Sequence, residues 1–178
     1  MNYLEKGSQS ELAYAIHKCA RYSTDPHKEH GDAVLWIGRY LLGTAKYGLI
    51  LKPDLAKSFE VFIDSEFCGN WHKQYAREIY SVRSRHGYVI MYAGFPIVSK
   101  SQLQTEISLI TTEAEYTGLS YALREVIPLM ELLKEMKEKG FDVLDHKVKV
   151  HCRVFEDNSI AIEMAVFHKW TPRTKHCT

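Results

Sequence analysis

The stretch from Glu113 to Lys139, "EAEYTGLSYALREVIPLMELLKEMKEK", most constrains the fold, because it reads as one long helix set between β-type segments. Tyr116, Leu119, Leu123, Val126, Met130 and Leu133 recur at helical spacing, and Gly140 follows where a C′ glycine belongs. Pro128 lies inside the pattern and predicts a kink or a break. Before the helix, "FEVFID" (59–64), "GYVIMYAG" (87–94) and "FPIVSKSQLQTEISLI" (95–110) are β-like, and Gly94 marks a hairpin. After it, "KVKVHCRVFED" (147–157) reads as a fourth strand and "NSIAIEMAVF" (158–167) as a short helix. Three strands before the first long helix suggest an antiparallel meander. The helix is then a crossover that brings the fourth strand parallel to the first. The predicted class is α+β, with a mixed sheet and helices packed on it.

The N-terminal part has a different pattern. "SQSELAYAIHKCARYS" (8–23) reads as a helix, with Ser8 and Glu11 forming a capping box. "DPHKEHGDAVLWIGRYLLG" (25–43) reads as a second, with Asp25 as N-cap, Pro26 in the first turn and Gly43 past the end. In "YGLILKPDLAKSFEVFID" (47–64) two β-type runs flank the turn pair Pro53-Asp54. Residues 71–86 are polar and read as a loop with at most a helical turn. A length of 178 residues suits one domain plus an appendage. The boundary is expected after residue 58, giving a segment 1–58 and a domain 59–178. Net charge is +1, so any nucleic-acid contact has to be local. The four cysteines form no C-x-x-C and fit unpaired thiols in a reducing compartment. No apolar leader and no run of about 18 apolar residues occurs, so a soluble intracellular protein without membrane contact is expected.

Three carboxylates stand out. At about 100° per residue, Glu115 lies roughly 40° from the centre of the apolar stripe and Glu113 roughly 120° away. Glu115 therefore points toward the sheet, and Glu113 reads as a helix N-terminal acid favoured by the dipole. A partly exposed glutamate at the edge of the stripe is the alternative for Glu115. Asp64 ends the first strand and Asp157 the fourth. If those strands are parallel neighbours, both acids meet at the carboxyl ends where open sheets bind ligands. A turn residue or N-cap is the alternative for each. Three clustered carboxylates repel unless a cation neutralises them, and oxygen ligands without His or Cys suit Mg²⁺ or Mn²⁺. The reaction class such a site supports is two-metal phosphodiester hydrolysis. A zinc site lacks any matching ligand spacing.

The segments "HGDAVLWIGRYLLGTAKYGLIL", "VFIDSEFCGNW", "SRHGYVIMYAG", "SKSQLQTEISLITTEAEYTGLSYAL", "VFEDNSIAIEMA" and "PRTKH" closely resemble the copia-type LTR-retrotransposon polyprotein. The resemblance runs from the end of the reverse transcriptase into its ribonuclease H domain, and "TTEAEYTGL" and "EDNSIAIEMA" are its most specific parts. It implies a ribonuclease H-like fold and Mg²⁺-dependent cleavage of the RNA strand of RNA–DNA hybrids. It maps the family's catalytic carboxylates onto Asp64, Glu115 and Asp157. It also implies a partner in the rest of the polyprotein, and a place in a cytoplasmic virus-like particle or the nucleus. Residues 1–58 then correspond to the connection joining polymerase to nuclease and carry no polymerase motif. The chain departs from the family in "DSEF", where Glu66 stands in place of a second Asp. The family continues past "RTKH" to a fifth strand and a helix with a fourth carboxylate. With Thr178 as the last residue, that carboxylate is expected to be absent and the fourth strand to form a sheet edge.

A hybrid-binding nuclease needs phosphate contacts beside its site. The candidates are Arg83, Arg85 and His86 before the second strand, Lys100, Gln102 and Gln104 on the third, and Arg173, Lys175 and His176 in the tail. Each basic cluster also reads as a solvated face. Trp36 and Trp71 read as packing residues. A non-catalytic nucleic-acid-binding remnant and a purely structural connection module are the rival readings.

Overall fold

The computed structural model describes residues 2–48, 50–69, 71, 73, 77 and 79–167. Arg173, Lys175 and His176 lie outside the described residues. The chain forms two compact units that divide between Leu51 and Lys52, earlier than the boundary expected after residue 58. Residues 52–58 are tied to the second unit by backbone bonds: Asp54 N–H donates to the Ala93 carbonyl at 2.8 Å, and Asp145 N–H to that of Leu55 at 3.0 Å.

The first unit is helical: α1 (Asn2–Gly7), a 3₁₀ turn (Ser10–Leu12), α2 (Ala13–Ala20) and α3 (Lys28–Thr44). Leu12, Ile16 and Ile37 form its core. Three end signals differ from expectation. Ser8 closes α1, its N–H donating to the Leu4 carbonyl, and Gln9 rather than Ser8 is the N-cap of the 3₁₀ turn that follows. Asp25 is not the N-cap of α3; His27 is, in a reciprocal box with His30. Gly43 lies inside the last turn of α3, which is capped by Ala45. The run around Ile50 and Leu51 is not a strand; both side chains are exposed and the backbone has no ladder partner among the described residues.

The second unit is a four-stranded mixed sheet of order β3-β2-β1-β4. Its strands are β1 (Phe59–Glu66), β2 (Arg85–Tyr92), β3 (Phe95–Leu103) and β4 (Cys152–Phe155). One helical turn, α4 (Ile79–Val82), precedes β2, while α5 (Thr111–Glu138) and α6 (Ser159–Phe167) flank β4 in sequence. The strands β1, β2 and β3 are antiparallel neighbours, and β4 pairs parallel with β1. The β2–β3 turn has Ala93 at φ 50° and Gly94 at φ 88°, the two left-handed residues that a tight hairpin matching strand twist requires. The fourth strand is shorter than 147–157 because its ladder opens at Phe59↔Cys152; residues before Cys152 run past the start of β1. Val148 and Val150 still pack on the core.

The helix α5 runs unbroken through Pro128, so of the kink or break expected there the break does not occur. Pro128 and Arg124 are both exposed, so the carbonyl that loses its N–H partner faces water. Val61, Ile63, Tyr88, Ile90, Leu119, Ala122, Val126 and Leu133 make the core between α5 and the sheet. Gly118 sets how close α5 comes. A Cβ there would lie 2.5 Å from Ser65 Oγ and 3.2 Å from His86 Cβ. Gly118→Val is expected to lower stability by about 1–3 kcal/mol through overpacking, read as a fall in the midpoint of urea unfolding at unchanged slope.

Candidate metal centre

Along β1, burial alternates strictly: Phe59, Val61, Ile63 and Ser65 turn inward to α5, while Phe62, Asp64 and Glu66 are exposed. This is the two-residue period of a strand with one face covered. In the parallel ladder Phe62 is level with Phe155, and their rings stack on the outer face at 4.7 Å. The residue after Phe155 is Glu156, which the same alternation turns toward α5. Asp157 follows where the chain leaves the strand. Glu115 enters from above, on the first turns of α5, and is 5% exposed.

These placements bring one carboxylate oxygen each from Glu115, Glu156 and Asp157 within 4.8 Å of one another. Asp64 is not in that group. It acts on Glu115 and Glu156 as a nearby negative charge from the end of β1. Sequence reasoning missed Glu156. The available signal was the face parity of "VFED", read against the strand's pairing partner. Glu113 is half-buried and accepts the Leu109 N–H at 2.6 Å. It closes the helix start and takes no part in the acidic group.

The electrostatics are those of clustered, partly buried carboxylates. Burial first, then the Glu156 charge, push the Glu115 carboxyl up to about 7, while the neighbouring Ser65 hydroxyl opposes the shift. Glu156 is also raised, chiefly by burial and then by Asp157 and Asp64, against the Asn158 N–H that its Oε1 accepts at 3.1 Å. Glu115 Oε2 and Glu156 Oε2 are buried with no hydrogen-bond donor. Two orphaned carboxylate oxygens in one small space fit a hard divalent cation such as Mg²⁺ or Mn²⁺, which prefers all-oxygen donors. Glu115, Glu156 and Asp157 would hold it.

The proposed phosphate contacts fare unequally. Gln104 is 1% exposed; its amide donates to the Ala114 carbonyl at 2.8 Å and accepts from Ser108 at 2.9 Å, so it clamps the start of α5 and cannot reach a ligand. His86 is 0% exposed and stacked on Tyr121 at 4.6 Å. Burial holds its imidazole down to about 4, so it is neutral at pH 7 and contributes no positive charge. Arg85 is buried and donates to Ser101 Oγ at 3.3 Å. Lys100 is exposed but paired with Glu125 of α5. Arg83 and Gln102 are half-buried. Trp36 and Trp71 are 67% and 56% exposed, so neither is the packing residue expected. Among the described cysteines, Cys19, Cys68 and Cys152 are free thiols.

Two outcomes follow from this geometry. Between the ordinary carboxylate value of 4.5 and about 7, folded Glu115 keeps a proton that the unfolded chain has released. In chelator, stability therefore falls as pH rises through that window and stays reduced above it. Glu115→Gln removes the buried charge and is expected to raise stability at pH 8 by about 1–3 kcal/mol, with little effect at pH 4. Thermal unfolding in EDTA at the two pH values checks this, and equal effects at both would contradict it. Gln104→Ala is expected to cost about 1–3 kcal/mol by stripping two buried hydrogen bonds, without changing affinity for nucleic acid in a filter-binding assay.

Comparison with known proteins places the chain. Over 171 residues, 95% of its length, it is 30% identical to the retrovirus-related Pol polyprotein from transposon TNT 1-94 of Nicotiana tabacum. Over 169 residues, again 95% of its length, it is 26% identical to the retrovirus-related Pol polyprotein from transposon RE2 of Arabidopsis thaliana. It spans only 11% and 10% of those two polyproteins. It is also 28% identical over 125 residues to the secreted RxLR effector protein 161 of Plasmopara viticola, covering 70% of this chain and 82% of that one. No family model matches the chain, and no solved structure matches it. Along nearly its whole length, then, the chain is similar to one short segment of retrovirus-related Pol polyproteins from plant transposons.

Proposed function

We propose that this chain is a retrotransposon-derived ribonuclease H-like domain that hydrolyses the RNA strand of RNA–DNA hybrids, preceded by a connection segment of the reverse transcriptase. The observation that carries the reading is the convergence of Glu115 and Asp157 at the carboxyl ends of parallel β1 and β4, with Asp64 at the adjoining strand end. A meander followed by a crossover helix and a parallel strand is the topology the resemblance implies.

Asp64, Glu115 and Asp157 are the catalytic carboxylates in this reading, and Mg²⁺ or Mn²⁺ is the ion. What a divalent cation supplies when bound is activation of a water and neutralisation of the leaving 3′ oxygen. The chain's own residues do the rest. Buried Glu115 is a fixed anchor, held by α5 against the sheet. Asp157 and Asp64 are exposed and stand on the side open to a phosphodiester. Half-buried Arg83 and Gln102 are the phosphate contacts left to this reading on the β2–β3 side; Arg173 and Lys175, the candidates in the tail, lie outside the described residues. Selection of hybrid over duplex DNA rests on 2′-hydroxyl and phosphate contacts rather than base sequence.

The partner in this reading is the remainder of a Pol polyprotein, in a cytoplasmic virus-like particle or the nucleus. The first unit supports such a partner, because α3 leaves Leu35, Trp36 and Leu42 exposed. Among the described residues no helix is long and apolar enough to cross a membrane. A second reading, a non-catalytic remnant, draws on one finding. The matched Plasmopara viticola protein is named a secreted effector and is mostly covered by this segment, so the segment also occurs outside a polyprotein.

Cleavage of a labelled RNA–DNA hybrid, with and without EDTA, decides between them. The expected result is cation-dependent cutting of the RNA strand, with loss of about 100-fold or more in Asp64→Asn, Glu115→Gln and Asp157→Asn. Hybrid binding without cutting supports the remnant; cutting unchanged in all three variants removes these residues from the mechanism.

A further inference from the structure

The face of α3 turned away from the core of the first unit carries a pattern that no contact within the described chain explains. Leu35 and Leu42 are 60% and 82% exposed. At about 100° per residue they share one line along the helix, opposite Ile37 of the core. Gly31 and Gly38 stand beside them on the same face. A Cβ at either glycine would meet nothing within 4 Å, although glycine weakens a helix relative to alanine. Each glycine is followed four residues later by a leucine, so knobs and notches repeat at the same interval of seven residues, about 10.5 Å of rise. The notches open into two apolar hollows. One, of about 560 Å³, lies along Val34, Leu35, Gly38, Leu41 and Leu42. The other, of about 390 Å³, runs from Gly31 to Ile16 and Cys19 of α2.

We infer that α3 is a homodimer interface, its Leu35–Leu42 face packing antiparallel against α3 of a second copy of this chain. The reading above gives this exposed face a polyprotein partner; the pattern narrows that partner to a second copy, independently of hybrid cleavage. Turned end for end about a two-fold axis, α3 sets Leu42 over Gly31 of the other copy and Leu35 over its Gly38. Each copy then fills both notches of the other. A parallel pair would instead face leucine with leucine and glycine with glycine. Charge fits the antiparallel arrangement. Asp32 and Arg39 lie on one flank of the face, within about 20° of each other. Among the described residues neither is in an ion pair, and the Arg39 guanidinium lies over the Trp36 ring at 5.0 Å. In the antiparallel pair Asp32 of one copy stands within about 3 Å of axial rise from Arg39 of the other, twice by symmetry. Lys28 and Lys46 share that flank only at the first turn and beyond the end of the helix, and both are exposed to water. One helix pair is a small interface, so the dimer is weak, with a dissociation constant on the order of 10 µM.

The test is sedimentation equilibrium of the full chain at low salt, from about 1 to 300 µM. The expected result is a monomer–dimer equilibrium. Gly38→Gln fills a notch without touching anything in the monomer, so circular dichroism and the unfolding midpoint hold or improve while dimer affinity falls about tenfold or more. Leu42→Ala is expected to weaken the dimer to a similar extent. Asp32→Arg and Arg39→Asp, each alone, set like charges together and weaken it about threefold or more. The double variant Asp32→Arg/Arg39→Asp restores the pair across the two-fold axis and regains wild-type affinity. A chain that stays monomeric throughout the range overturns the inference and leaves the face to another partner. A dimer unaffected by Gly38→Gln, or a double variant that recovers nothing, overturns it as well. Should Gly38→Gln fail to fold, Gly31→Gln fills the other notch, and wild-type dimer affinity in that variant counts equally against the interface. The nuclease reading fails separately. Dimerisation as described without hybrid cleavage leaves the interface standing. Cleavage by a strictly monomeric chain removes the inference alone.

Discussion

The close approach of α5 to β1 and β2 underlies the rest of the second unit. It is permitted by the absence of a side chain at Gly118, directly above Ser65 and His86. With the helix seated there, Leu119, Ala122 and Val126 reach Val61, Ile63 and Ile90 and close the core. The same seating carries Glu115, nearly one turn earlier, down to the level of the strand ends. A carboxylate is thereby forced into a place where burial costs free energy. The helix tolerates it because the apolar contacts further along contribute more than one buried acid removes.

A second constraint is the parallel pairing of β1 with β4. Its register, opening at Phe59↔Cys152, brings the end of β4 level with the middle of β1. The pleat then sorts the acids. Phe62 and Phe155 go to the outer face and stack, so Glu156 goes to the inner face and Asp64 to the outer. The result is a graded site. Glu115 is buried, Glu156 half-buried and Asp157 exposed, so the acidic group runs from the protein interior to the solvent over a short distance.

Residues of the kind that bind phosphates in isolation have been drawn into scaffolding. Lys100 reaches across to Glu125 and ties β3 to α5. Gln104 joins the end of β3 to the first turn of that helix through Ala114 and Ser108. Arg85 is turned under the sheet edge toward Ser101. A side chain with several donors satisfies buried backbone as well as it satisfies a ligand, and position alone decides which. This is why a run of basic and amide residues along two strands does not translate directly into a binding surface.

The sequence by itself determined the element order of the second unit, its mixed sheet and the inward face of α5. Those properties follow from periodicity and from what a long helix between strands can connect, both local in origin. It also separated Glu115 from Glu113, since residues two positions apart on a helix differ by about 200°. The N-terminal helix ends were less legible, because Ser8 and Gly43 are competent caps that neighbouring turns put to other use. The identity of the third acid was decided only by tertiary structure. Asp64 is turned outward by the inward residues of β1 itself, whereas which of Glu156 and Asp157 faces Glu115 depends on the register of β4 against β1. That register is set by contacts between segments some ninety residues apart, as in the bond from His151 N–H to Ser58 Oγ, and a shift of one residue exchanges the two faces.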